Sequence, residues 1–398
     1  MQPRDADRIS APVTVRTLEL LADLVAMPTE SRSSNTVLID WVAERLHAFG
    51  ARIHVIAGHP GRANLLATIG PDVAGGLLLS GHTDAVPAGN GWATPAYALT
   101  SLNDNWFGRG SADMKGFIAC VLATVETLDP ASLTRPLHLA LSYDEEIGCI
   151  GVHGLLHQLA GTGEHASVRP DLVVIGEPTM MRPRHAHLGK LAYRLAFTAS
   201  AGHSSLSPFM PTAIGAAVEV INALDAVAAP HRATATRTAS GEASADVTVN
   251  VGTIQGGTAL NVLSEHCEIT FEIRHTTAFD PDELLAPVWS AVDRCAAALG
   301  AVRGGVEREE ITRYPGLSTD LSHPMMRAVE RLADRGPIVS VGFGTEGGLF
   351  AAALDSPVVI CGPGDIAVAH RPDEYVSAEQ LEACLAFLAA LIETVCTV

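Results

Sequence analysis

Four segments of this chain end in residues that bind metal ions or move protons. Leu77–Ser80 runs into Gly81-His82-Thr83-Asp84, and Leu137–Tyr143 runs into Asp144-Glu145-Glu146. Leu172–Ile175 leads to Gly176-Glu177-Pro178-Thr179, and Val358–Cys361 leads to Gly362-Pro363-Gly364 and then to His370. Each run is short and largely apolar, as expected of a strand covered on both faces. In an open α/β sheet, ligands sit at the carboxyl ends of the strands. Four segments delivering His or carboxylate to one edge therefore point to a cation site. Asp113 joins them from GRGSADMKG, where a glycine-rich turn opens a helix. An Asp there is either a helix N-cap or a carboxylate bridging two cations, and the company it keeps favours the bridge.

His82 is followed by Asp84 at i+2. A metal-ligating imidazole normally passes its other ring N–H to a carboxylate, which sets tautomer and orientation. Glu145 and Glu146 are adjacent, so their side chains point different ways. One can hold a metal while the other faces the water that the metal acidifies toward about pKa 7. Taken alone, the pair also reads as an exposed acidic turn. Imidazole and carboxylate without thiolate point to zinc, with cobalt or manganese as alternatives. His47, His54, His157 and His231 have no such surroundings.

The elements that must position these groups alternate between helix and strand. Val13–Met27 and Thr36–Phe49 carry apolar residues at helical spacing, with Gly50 where a C-cap glycine belongs. Strands are expected at Ala51–Ile56 and Asn64–Ile69, and helices at Asp113–Leu128 and Gly151–Leu159. Near Arg182 the pattern changes to strand Gly189–Ala199, helix Thr212–Ala228, strands Val247–Gln255 and His266–Arg274, helix Pro281–Ala298 and strand Val306–Thr312. That β-α-β-β-α-β order is ferredoxin-like. The α/β pattern then resumes with helix Ser322–Arg335 and closes with helix Ala378–Val395. The expectation is an α/β catalytic domain with a mostly parallel sheet, residues 1–182 and 313–398, interrupted by a second domain, residues 183–312. The small polar stretch 233–246 is expected to be a mobile loop.

With 26 basic and 44 acidic residues the net charge is −18. Such a surface repels phosphate backbones, so neither nucleic acid nor an anionic membrane is an expected partner. Seven cysteines are scattered without a CxxC pair, which fits reduced, packed thiols rather than a disulfide framework. No apolar run approaches the roughly 20 residues of a bilayer span, and the polar N-terminus lacks a secretory core. A soluble, cytoplasmic protein is expected.

The stretches LLLSGHTDAVPAG, GRGSADMKGF, LSYDEEIGC, VIGEPT, AGHSSLSP, GGTALNVL, FGTEGGLF and CGPG…AHRPDEY, spread from about residue 77 to 375, resemble the zinc-dependent aminoacylase and exopeptidase family in family order. The resemblance implies a zinc-exopeptidase-like catalytic domain with an inserted lid that also dimerises. It implies two divalent metal ions, one held by His82 and Glu177, the other by Glu146 and His370, with Asp113 bridging. Asp84 would orient His82, and Glu145 would act as general base and later proton donor. His203 resembles the lid histidine that reaches a neighbouring subunit's site to polarise the scissile carbonyl. Asn261 and Arg274 resemble lid residues that hold substrate. Glu346, from its place in FGTEGGLF and its charge, is expected to read a substrate ammonium. The implied reaction is hydrolysis of a small N-acyl amino acid by a homodimer. Its rivals are a relative acting on other acyl amino acids or dipeptides and a non-catalytic binding protein that kept the fold. Val262-Leu263-Ser264 and the loop Gly364–Val368 depart from the family pattern without touching an implied metal ligand.

Overall fold

A computed structural model describes residues 11–160, 168–232, 236–237, 243–333 and 339–397. The chain forms two compact units, Met1–Ala186 with Leu317–Val341 and Thr345–Val398, and His187–Gly316 with Gly342–Gly344.

The first unit is built on a nine-stranded mixed sheet. Its centre is parallel: Leu137–Ser142, Leu77–His82, Leu172–Pro178 and Val358–Gly362 lie side by side in that order. Arg52–Ala57 and Ala63–Ile69 add an antiparallel hairpin at one edge. Every residue of the four central strands is buried, which is why they read as continuous apolar runs instead of alternating ones. Helix Lys115–Thr127 is buried from Lys115 to Val125. It packs with Leu20 and Leu24 of helix Ala11–Val25 and Leu385 and Leu388 of helix Ala378–Cys396 against Leu79 and Val174 of the sheet. At roughly 1.5–3 kcal/mol per buried large apolar side chain, this core gives the strand ends a rigid base. Strand and helix meet closely at Gly176, where a Cβ would fall 2.0 Å from the Phe117 ring. Thr100–Leu102, Asn105–Phe107 and Tyr375–Ser377 form a separate three-stranded sheet, unforeseen because three residues are too few to show a period.

The second unit has the expected β-α-β-β-α-β order. Its antiparallel sheet runs Val247–Gly256, His266–His275, Gly189–Thr198, Gly305–Tyr314. Burial alternates strictly along His266–His275, the signature of a sheet with one covered face. That face, with Leu195, Phe197, Ile269 and Phe271, packs against Val220 and Leu224 of helix Ala213–Arg232 and Leu285 and Val288 of helix Pro281–Gly300. Helix Ala213–Arg232 is long and apolar enough to cross a membrane by length and composition, contrary to the expectation of no such run. Its apolar stripe is instead used on the sheet. Within 233–246, Thr236–Arg237 pairs with Ala243–Ser244; residues 233–235 and 238–242 lie outside the described residues.

Candidate metal centre

The parallel register delivers the acidic and imidazole groups to one edge. His82 ends its strand opposite Ser142, one turn before Glu145 and Glu146, and Glu177 lies near the end of the next strand over. His82 Nε2 is 3.0 Å from Asp113 Oδ1 and 3.8 Å from Glu177 Oε1. The other oxygen of Asp113 is 3.2 Å from His370 Nε2, which is 2.9 Å from Glu146 Oε2. Two groups of three therefore share Asp113: His82, Asp113 and Glu177, and Asp113, Glu146 and His370. Within each, the ligand atoms lie within 4.8 Å of one another. The first group is buried; in the second, the His370 side chain is 50% exposed, which leaves an approach from solvent.

The electrostatics of this cluster call for cations. Burial opposes ionisation of Asp113, but hydrogen bonds from His370 and His82 outweigh it and hold that carboxyl below the ordinary range. Burial, with Asp113 and Glu145 nearby, pushes Glu177 well up. Burial pushes Glu145 well up too, assisted by Glu146 and Glu346 against the opposing charge of His82. Hydrogen bonds to Asp113 and Glu146 raise His370 to about 10. Unpaired buried carboxylates are costly, and Glu146 Oε1 is buried with no hydrogen-bond partner among the described residues. Imidazole and carboxylate donors in two groups around a shared Asp fit two divalent ions.

Around the ligands, the structure differs from the expected pairing of Asp84 with His82. His82 Nδ1 lies 2.9 Å from the main-chain carbonyl of Asp84 and 3.6 Å from its carboxylate. The carboxylate instead accepts from the N–H groups of Glu145 at 3.1 Å and Glu146 at 3.4 Å, and from Ser31 Oγ at 2.8 Å. Asp84 therefore orients His82 through its backbone and the Glu145–Glu146 turn through its side chain. Glu374 was not singled out from the sequence, although it stands four residues after His370 in AHRPDEY. Its carboxylate accepts from Arg109 at 2.6 Å and from the N–H groups of Ala112 at 3.0 Å and Asp113 at 3.1 Å. Arg109 and Glu374 are each 1% exposed, so a buried ion pair ties the loop of Asp113 to that of His370.

Glu346 sits at the start of helix Gly347–Leu354, buried, with Oε1 unpartnered among the described residues. Burial raises its carboxyl to about 7. His203, Asn261 and Arg274 belong to the second unit. There His203 bridges to Val262, and Ser204 N–H donates to the Asn261 carbonyl at 3.0 Å, so His203 and Asn261 are neighbours. His203 is exposed, and its Nδ1 lies 2.9 Å from Ser205 Oγ and 3.3 Å from the Ser205 main-chain nitrogen. Arg274 lies at the far end of strand His266–His275, beside Lys190 in register, with its Nε on Glu272 Oε1 at 3.1 Å.

Residues 78–394 match the model of peptidase family M20/M25/M40. The acetylornithine deacetylase of Pasteurella multocida (strain Pm70) is 32% identical over 404 residues, covering 96% of this chain and 98% of the relative. A metallo-carboxypeptidase of the M20 family from Sulfolobus solfataricus superposes with a TM-score of 0.74 at 15% identity, covering 95% of this chain and 98% of that one. A Bacillus subtilis protein described as a dinuclear metal-binding peptidase of the M20 family superposes at 0.67 with 15% identity, covering 96% and 98%.

Proposed function

The chain belongs to peptidase family M20/M25/M40 and is a hydrolase; from that premise we propose that it removes the acetyl group of N-acetyl-L-ornithine, releasing ornithine and acetate. The observation that carries the chemistry is the pair of three-ligand groups sharing Asp113 with the spare carboxyl of Glu145 beside them. The substrate follows from the similarity to acetylornithine deacetylases along nearly the whole chain. Zinc is the metal first expected from the donors, ahead of cobalt and manganese. His82, Asp113 and Glu177 would hold one ion and Asp113, Glu146 and His370 the other. When bound, the pair polarises the acyl oxygen and acidifies a water.

Glu145 takes the proton of the attacking water and returns it to the leaving amine nitrogen. His203 donates to the oxyanion as it forms. Arg274 offers a guanidinium fork to the substrate α-carboxylate, and Asn261 holds the substrate beside His203. Glu346 takes the ornithine ammonium: an arriving cation would draw a carboxyl poised near 7 into its ionised form.

His203 and Asn261 lie close to the His266 end of a lid strand and Arg274 close to the other end. Eight residues at about 3.4 Å each separate the ends by roughly 27 Å, too far for one lid to serve one site with both. A second copy supplies the missing end, so the enzyme works as a homodimer joined through the lid. Phe209 and Leu260, 82% and 101% exposed beside His203 and Asn261, suit that contact. The seven buried, free cysteines fit a reducing cytoplasm.

The test is hydrolysis of N-acetyl-L-ornithine, N-acetyl-L-methionine, N-succinyl-diaminopimelate and a dipeptide, with chelator and with added zinc or cobalt. Metal-dependent turnover strongest on acetylornithine is expected. Metal-dependent turnover strongest on another substrate keeps the site and discards the substrate. No turnover with two metals bound returns the chain to a binding role.

A further inference from the structure

The turn after the general base brings a buried thiol back beneath it. The N–H groups of Gly148 and Cys149 both donate to the Glu145 carbonyl, at 2.9 and 2.8 Å, and that of Ile150 donates to the Asp144 carbonyl at 3.1 Å. Asp144 and Cys149 adopt left-handed backbone at φ 54° and 57°, uncommon for a residue other than Gly, Asn or Asp. Gly151 follows so tightly that a Cβ there would lie 2.0 Å from the Tyr143 carbonyl oxygen. The result is a Cys149 side chain 1% exposed, with Sγ 3.5 Å from Glu145 Oε1.

We propose that Cys149 is a positioning residue for Glu145, its S–H donating to Oε1 so that Oε2 is left turned toward the attacking water. This rests on the reading of Glu145 as general base. The main chain of Glu145 is already held, since its N–H donates to Asp84 Oδ1 at 3.1 Å. Side-chain rotation is what remains to be set, and a carboxylate whose oxygens are interchangeable needs a partner on one of them to present the other. Burial and the charge of Glu145 push the Cys149 thiol well above its ordinary range, so it keeps its proton and acts as a donor. A misaimed base lowers the rate of the chemical step and leaves substrate binding alone.

Three substitutions separate donation from packing. Cys149→Ser keeps a donor, Cys149→Ala removes it, and Cys149→Val removes it while filling the space. Each is loaded with metal, its bound metal counted, and its hydrolysis of N-acetyl-L-ornithine (or N-acetyl-L-methionine, if turned over faster) measured. Expected is a kcat about five- to tenfold lower in the Ala and Val variants, with KM and metal content unchanged, and a Ser variant within about threefold of the parent. In a Glu145→Gln background, Cys149→Ala should do nothing further. The proposal is overturned by parental kcat in both Ala and Val, by Ser falling as far as Ala, or by the full loss persisting in the Gln background. Undiminished activity of Glu145→Gln alone overturns the base reading, and the positioning role with it.

Discussion

Replacing Glu374 asks whether the bridging carboxylate is held from behind. Glu374→Ala strands the guanidinium of Arg109, which is 1% exposed, and breaking a buried pair from one side costs about 3–5 kcal/mol. The N–H groups of Ala112 and Asp113 lose their acceptor as well, adding about 1–3 kcal/mol each where water does not replace it. At about 2 °C per kcal/mol, the alanine variant should melt roughly 10–20 °C lower. Glu374→Gln divides these contributions: its amide oxygen still accepts from both N–H groups, while the charge facing Arg109 is gone. Partners behind a metal ligand are worth about 10–100-fold in metal affinity, and the glutamine variant is expected near the lower end, about tenfold. Zinc and cobalt are titrated into metal-free protein against a competing chelator, with melting of the metal-free chain recorded in parallel. If Glu374→Gln lowers the metal-free melting temperature yet binds both metals within about twofold of the parent, Glu374 is a structural strut and the reasoning fails.

Glu346 makes metal-free stability depend on pH. Its folded pKa is raised from 4.5 to about 7 by burial, so the folded chain binds more protons than the unfolded one across that window. Stability is then full below about 4.5 and falls by about 3 kcal/mol as pH climbs past 7. Metal-free Glu346→Gln should melt above the parent near pH 8 and close to it near pH 4.5; an equal gain at both pH values would count against the shift. For the dimer, His203→Ala and Glu145→Gln are each expected to lose about 100-fold or more in kcat. Co-expressed, they should recover about a quarter of the parental activity, because half the dimers are mixed and one site in each has both groups. Purified mixed dimers with no recovery would mean that His203 serves its own chain.

Most residues of the two three-ligand groups were legible in the sequence because His82, Glu146 and Glu177 stand at or just past the carboxyl end of a strand and Asp113 just before a helix, where apolar runs and glycines mark the boundaries; His370 comes eight residues after its strand ends. His82 and Glu177 needed only that the runs before them be parallel neighbours, and burial on both faces is what made those runs continuous. Hydrogen-bond direction was not legible. The i+2 spacing suggested the Asp84 carboxylate for His82, yet the turn after Tyr143 leaves the N–H groups of Glu145 and Glu146 needing acceptors, and a buried carboxylate facing them takes that role. The Arg109–Glu374 pair joins residues 265 positions apart, and no period relates them.

The lid shows the same division. Alternation along His266–His275 was visible as a strand, but where its ends lie is a matter of register. Only the antiparallel pairing with Gly189–Thr198 reveals that Arg274 sits beside Lys190 while His266 sits beside Thr198, a few residues from His203. His203, Asn261 and Arg274, which look like one set in the sequence, are thereby split between opposite ends of one sheet. Under the proposed function a site that uses all three draws on two lids, so separating the copies is expected to leave both metal groups intact and to cost each site either the proposed oxyanion donor or the proposed carboxylate fork.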